Sequence, residues 1–95
     1  MKITIQTPDF KADQALLDFV EEKVSKLSKF LESIHGATVT LELDKSDTRD
    51  NKRCDIKLEI PGNDLFASRQ CKSFEEATAK AVDALKSQIS TRKNA

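Results

Sequence analysis

Lys23, Lys26 and Lys29 recur at three-residue intervals, and residues 23 to 31 contain no acid. Side chains so spaced are neighbours on a helix surface. Ammonium groups held together without intervening carboxylates bind a polyanion by displacing its counterions, and nucleic acid is the commonest polyanion inside a cell. A second cationic group, Lys86, Arg92 and Lys93, follows Asp83, the last acid of the chain. A third, Lys45, Arg49, Lys52 and Arg53, is diluted by Asp47 and Asp50. Each group also has an ordinary reading: a solvated helix face, cations drawn to the negative end of a helix dipole, and a loop kept in water. If two helices carry the first two groups side by side, those groups flank one groove and match the spacing of several phosphates.

Bond-making chemistry finds no footing. The single histidine, His35, stands beside Gly36, and the two glycines of the chain cannot build a phosphate-binding loop. No Ser-His-Asp grouping is evident, nor a carboxylate pair in an apolar setting. Cys54 and Cys71 are too few and too far apart for zinc, which takes four ligands. The chain therefore reads as a non-enzyme, with no metal, cofactor or small-molecule substrate expected.

Lys plus Arg equals Asp plus Glu, 16 each, so the net charge is zero and any electrostatic binding has to come from segregated charge. The 95 residues suffice for one domain, spanning 1–95, with one modest core. Hydrophobic content of 38% supports folding, and 34% charged residues imply a salt-laced exterior. The N-terminus lacks the apolar run of a signal peptide, and no stretch reaches membrane-spanning length. A cytoplasmic chain with no membrane partner, monomeric when free, is the expectation.

The elements that hold the lysines are legible from periodicity. Lys2 to Gln6 alternate as a strand, which Thr7-Pro8-Asp9 breaks. Asp13 is a helix N-cap, and Leu16, Val20, Val24, Leu27, Leu31 and Ile34 then mark a core stripe of about six turns, ended by Gly36. Phe19, Lys23, Lys26 and Phe30 lie on one flank of that stripe, with Glu21, Ser28 and Glu32 on the other. The stem of Lys23 packs nearest the core while its ammonium reaches out. Val39-Leu41-Leu43, Cys54-Ile56-Leu58-Ile60 and Leu65-Ala67 alternate with polar neighbours, as in an antiparallel sheet covered on one face. Lys45 to Arg53 reads as a flexible hairpin loop and Pro61-Gly62-Asn63-Asp64 as a tight turn. Ser73 and Glu76 form a capping box ahead of a second stripe, Phe74, Ala77, Ala81, Leu85 and Ile89, and Thr91 to Ala95 are expected to fray. The order is βαβββα, an α+β fold: a four-stranded mixed sheet, its first two strands parallel, with both helices on one face.

The uncovered sheet face offers one aromatic, Phe66, too little for an RRM-type stacking platform. Although the element order is that of a double-stranded-RNA-binding domain, Glu75-Glu76 open the second helix where such domains present lysines. If Gly62-Asn63 are a two-residue hairpin loop, Cys54 falls opposite Cys71. Two buried thiols are expected there rather than a disulfide. That register puts Arg69 on the core side, so it belongs at the sheet margin or beside a bulge.

Taken in order, Ile3-Thr4-Ile5, then Ala15-Leu16-Leu17-Asp18-Phe19-Val20 with Lys23, Lys26-Leu27 and Phe30, resemble the ribosome hibernation-promoting factor family. That family includes ribosome-associated inhibitor A and the sigma-54 modulation proteins. The likeness continues through Pro61-Gly62-Asn63-Asp64-Leu65-Phe66-Ala67 and Phe74-Glu75-Glu76-Ala77 with Asp83, Leu85, Gln88-Ile89 and Lys93. It implies a βαβββα domain lodged in the tRNA and mRNA channel of the small ribosomal subunit, gripping rRNA phosphates through a basic helix surface and stopping translation by occlusion. Lys23, Lys26 and Lys93 fall on basic positions of the family pattern. Ala84, Ser87 and Thr91 stand where relatives often carry Lys or Arg, leaving compensation to Lys86, Arg92, Arg49, Lys52 and Arg53. Long members add a C-terminal dimerisation domain; a chain ending at Ala95 looks like a short form, not expected to pair ribosomes by its own dimerisation. The alternative is a regulator, of transcription for example, that binds protein through the sheet face around Phe66.

Overall fold

A computed structural model describes residues 1–45 and 49–93, and gives the backbone alone for Arg92 and Lys93. The elements are β1 (Lys2–Gln6), α1 (Gln14–Ser25), a 3-10 turn (Lys26–Lys29), β2 (Gly36–Leu43), β3 (Lys52–Glu59), β4 (Leu65–Cys71) and α2 (Phe74–Lys93). The strands lie in the order β1-β2-β3-β4. β1 runs parallel to β2, and the other pairings are antiparallel. This is the βαβββα mixed sheet that the periodicity predicts.

Alternation along the strands puts Val39, Leu41, Cys54, Ile56, Leu58 and Ala67 against the helices, all buried. They are met by Val20 and Val24 from α1, Leu27 from the 3-10 turn, and Ala77, Ala81, Leu85 and Ile89 from α2. Asp13 caps α1 by accepting from the Leu16 amide at 2.8 Å. Ser73 does the same for α2, accepting from the Glu76 amide at 3.1 Å. Phe10, in the connection before α1, stacks on Phe74 with ring centroids 4.7 Å apart, tying the starts of the two helices together.

The first helix is shorter than its apolar stripe suggests. Regular α geometry stops at Ser25 and tightens into the 3-10 turn, where the Ser25 and Ser28 hydroxyls donate to the carbonyls of Glu22 and Ser25. Ile34 is buried all the same, because burial follows the path of the chain toward the sheet and not the continuation of a helix. Gly36 is therefore no helix terminator. It opens β2 between Lys2 and Glu59 without a positive φ, and a Cβ there would stand 3.1 Å from the Lys2 carbonyl oxygen. Close backbone approach, not left-handed geometry, is what glycine permits here. Gly62 does take φ 93°, in the connection between β3 and β4.

That connection is longer than a two-residue turn. Leu58 faces Leu65, so Cys54 faces Arg69 and Lys52 faces Cys71. Both cysteines are free and buried. Arg69 keeps the core-side parity but stands exposed on the edge strand, its guanidinium donating to the Ser68 carbonyl at 2.7 Å. The ladder runs from Lys52–Cys71 to Leu58–Leu65 with no bulge. Two further readings change. Lys52 and Arg53 belong to β3 and not to a loop, and α2 continues through Thr91, Arg92 and Lys93 where fraying was expected.

Burial pushes the Cys54 thiol from an ordinary 9.0 up to about 11, partly offset by the Thr78 hydroxyl, which donates to its sulfur at 3.5 Å. Below pH 9 the thiol is neutral both folded and unfolded, and its packing contributes in full. Between pH 9 and about 11 the unfolded chain loses the proton first, so that stability drains away as pH rises. The window is worth on the order of 2–3 kcal/mol. Urea unfolding at pH 8 and pH 10.5 is expected to show a smaller alkaline loss for Cys54→Ala than for the parent chain; equal losses would contradict this account.

Candidate nucleic-acid interface

The 3-10 turn carries two lysines of the cationic edge, Lys26 and Lys29. Leu27, fully buried, anchors it from beneath, while Lys26 and Lys29 stand on its outer side and Phe30 closes it, its amide donating to the Leu27 carbonyl at 3.0 Å. One turn earlier Lys23 is half-buried, its ammonium 5.5 Å from the Phe19 ring centroid, as four-residue spacing on a helix allows. Across the helix pair, Lys86 of α2 places its ammonium 5.3 Å over the ring of Phe30. That contact brings Lys86 against the residue that closes the turn carrying Lys26 and Lys29, where the end of the first helix meets the second.

Acids border the edge without neutralising it. Lys26 lies 3.7 Å from Glu22 and Lys86 lies 3.9 Å from Asp83, both long and exposed contacts. Pairs of this kind contribute about 0–1 kcal/mol, so an incoming phosphate can replace them. Lys23 and Lys29 have no ion pair among the described residues. Glu32 follows the 3-10 turn, outside the helix, so helical spacing does not assign it to the opposite flank. Arg92 and Lys93 extend α2 past Lys86, and their side chains lie outside the described residues, as does Asp47.

The third basic group is elsewhere. Lys52 pairs with Cys71, two residues before the Ser73 cap, at the end of the sheet where α2 begins. Lys86 is a dozen residues further along that helix, roughly 18 Å away at 1.5 Å per residue. Arg49 is exposed beside this far end. Arg53 is occupied on the open sheet face. Its guanidinium donates to Glu42 at 2.6 Å, and its Nε lies 3.5 Å from Asp55, whose carboxylate also accepts from Ser68. Lys52 donates to its neighbour Asn51. Helical periodicity could not reveal this, because the Arg53–Glu42 pair depends on strand register.

The open face is otherwise polar. Phe66 is 55% exposed there, paired with Lys57 across the ladder. At one end Lys2, Thr4, His35, Gly36, Thr38 and Glu59 line an open cleft of about 260 Å³. Among the described residues no three His, Cys, Asp or Glu converge as metal ligands, and no helix is long and apolar enough to cross a membrane.

Comparison with known proteins bears on the fold and the family. A ribosome hibernation promotion factor of Deinococcus radiodurans is 32% identical over 79 residues, covering 80% of this chain, and this chain spans about 40% of that relative's length. Among solved structures, a ribosomal subunit interface protein from Coxiella burnetii superposes with a TM-score of 0.87 over 100% of both chains at 17% identity. The N-terminal domain of Protein Y from Thermus thermophilus superposes with a TM-score of 0.79 over 94% of this chain and 96% of that one, at 24% identity. At such identities the two structures speak for the fold alone. The sequence itself fits the model of the family described as sigma 54 modulation protein / S30EA ribosomal protein from residue 3 to residue 95, and it is to this family that the chain belongs.

Proposed function

We propose that the chain is a non-catalytic translation inhibitor that binds the small ribosomal subunit, occupies its tRNA and mRNA channel, and holds the idle ribosome through rRNA phosphate contacts. The observation that carries this reading is the seat of Lys86 on Phe30, which gathers lysines from both helices on one edge of a neutral molecule. Lys23, Lys26, Lys29 and Lys86 are the primary phosphate ligands, with Arg92 and Lys93 continuing the line of α2. Arg49 and Lys52 form a secondary set at the far end, and Arg53 joins it only by leaving Glu42 and Asp55. No bond is made or broken: a rigid body held by several phosphates excludes tRNA and message from the space it fills. Family membership and the hibernation-factor relative support the same partner. The ribosome, in turn, implies a cytoplasmic setting.

Binding of this kind is salt-dependent. Four phosphate contacts imply a slope of log affinity on log salt near −3, which is roughly a 60-fold loss between about 50 and 200 mM salt. Sedimentation with purified small subunits across that range checks it. The exposed Phe66 favours one other reading, a protein contact on the open sheet face. That contact predicts little salt dependence and loss of binding in Phe66→Ala, whereas the ribosome reading predicts a steep slope that Phe66→Ala leaves unchanged.

A further inference from the structure

Among the described residues three large hydrophobic side chains are exposed, Met1, Phe30 and Phe66, and of these Phe30 has an ammonium over its ring. The residue is 42% exposed. Lys86 covers part of it, and Lys26 and Lys29 lie on the same turn. A backbone hydrogen bond to Leu27 fixes the position of the residue, and Leu27 is itself immobilised in the core. An exposed aromatic among ammonium groups suits few partners. An apolar protein surface would cover the ring only by stripping water from the neighbouring lysines, at a cost that nothing in such a surface offsets. A duplex phosphate ridge would satisfy the lysines and leave the ring idle. An unpaired nucleotide supplies both halves: a flat base to stack on the ring and a phosphate within reach of the lysines around it.

We propose that Phe30 is a stacking platform for one unpaired base of a single-stranded or looped RNA segment. In this arrangement Lys86 polarises the ring, and Lys26 and Lys29 take the flanking phosphates. The inference rests on the ribosome-binding reading above and narrows it: the edge recognises RNA with a base turned outward, not phosphate density alone. Phe66 is not equivalent: one cation, Lys57, stands opposite it on the ladder, and among the described residues no ammonium lies over its ring.

The chain contains no Trp, so Phe30→Trp places a single indole fluorophore at the site. On titration with small ribosomal subunits, the emission of the Phe30→Trp variant is expected to be quenched, as a base stacks on the indole. Phe30→Leu is expected to bind about 5- to 150-fold more weakly, the range that one base–aromatic stack accounts for, with an unchanged salt slope. Phe30→Tyr is expected to bind like the parent chain. Blue-shifted, brighter emission from the Phe30→Trp variant would mean that a protein surface covers the ring, and would overturn the proposal. So would full-affinity binding by Phe30→Leu, which leaves phosphate binding standing without a stack. If the parent chain itself fails to sediment with subunits, the ribosome-binding reading falls and this inference falls with it. Because Phe30 lies at the surface, all three variants are expected to melt within a few degrees of the parent.

Discussion

Reversing Lys23 and Lys26 together to glutamate is expected to lower affinity for small ribosomal subunits by about 100-fold or more while the chain stays folded. Each lysine removed forfeits a charge-assisted contact of about 1.5–3 kcal/mol, and each new carboxylate repels the phosphate it replaces. Two sites therefore lose roughly 3–6 kcal/mol, or two to four decades. The structural cost is small. Lys26 gives up one long contact with Glu22 and gains like-charge repulsion of a few tenths of a kcal/mol at the same spacing, and Lys23 exchanges its place over Phe19 for solvent. Circular dichroism and a melting curve separate unfolding from lost binding. Lys23→Gln with Lys26→Gln is expected to lose less affinity and to flatten the salt slope by about two contacts. Full binding by the charge-reversed chain would remove α1 from the interface.

The second large effect is expected in the core, at Leu27→Ala. Leu27 is fully buried and underlies the 3-10 turn that presents Lys26, Lys29 and Phe30. Truncating a buried leucine costs about 2–5 kcal/mol, through lost transfer free energy and the cavity left behind. A domain of this size has a total stability of about 5–15 kcal/mol, and each kcal/mol shifts the melting temperature by about 4–8 °C. A fall of roughly 8–40 °C is therefore expected. Binding to subunits should weaken beyond the fraction unfolded, because the turn loses its anchor and the lysines lose their common geometry. Urea denaturation followed by sedimentation below the melting temperature tests both parts. A chain that unfolds more readily yet binds with full affinity when folded would show that the lysines need no rigid turn.

Much of the candidate site was legible in the order of residues. The acid-free run from Lys23 to Phe30 and the Lys86 group both stand out in one dimension, and the N-caps at Asp13 and Ser73 put them on helices. What misled was extrapolation of period. Leu31 and Ile34 fit the helical stripe, and both pack in or against the core, yet α1 stops at Ser25. A stripe records which residues are buried; it does not record whether the backbone between them stays α-helical. Ser25 and Ser28, with hydroxyls able to donate back along the chain, were the available sign of the tighter turn. Arg53 misled for a related reason. In a charged segment it looked like a free loop cation, whereas strand pairing sets it against Glu42 and Asp55.

Strand alternation, two amphipathic stripes, two caps and the segregation of like charges depend on neighbours a few residues apart, so the amino-acid sequence alone determined βαβββα and the acid-free run that holds Lys23, Lys26 and Lys29. Meetings between distant residues were decided by the packed chain. The hairpin register rests on how many residues the β3–β4 connection absorbs, which composition leaves open, and that register separates Cys54 from Cys71. The approach of Lys86 to Phe30 rests on the rotation and offset of two helices against one sheet, which are set by interlocking side chains far apart along the chain.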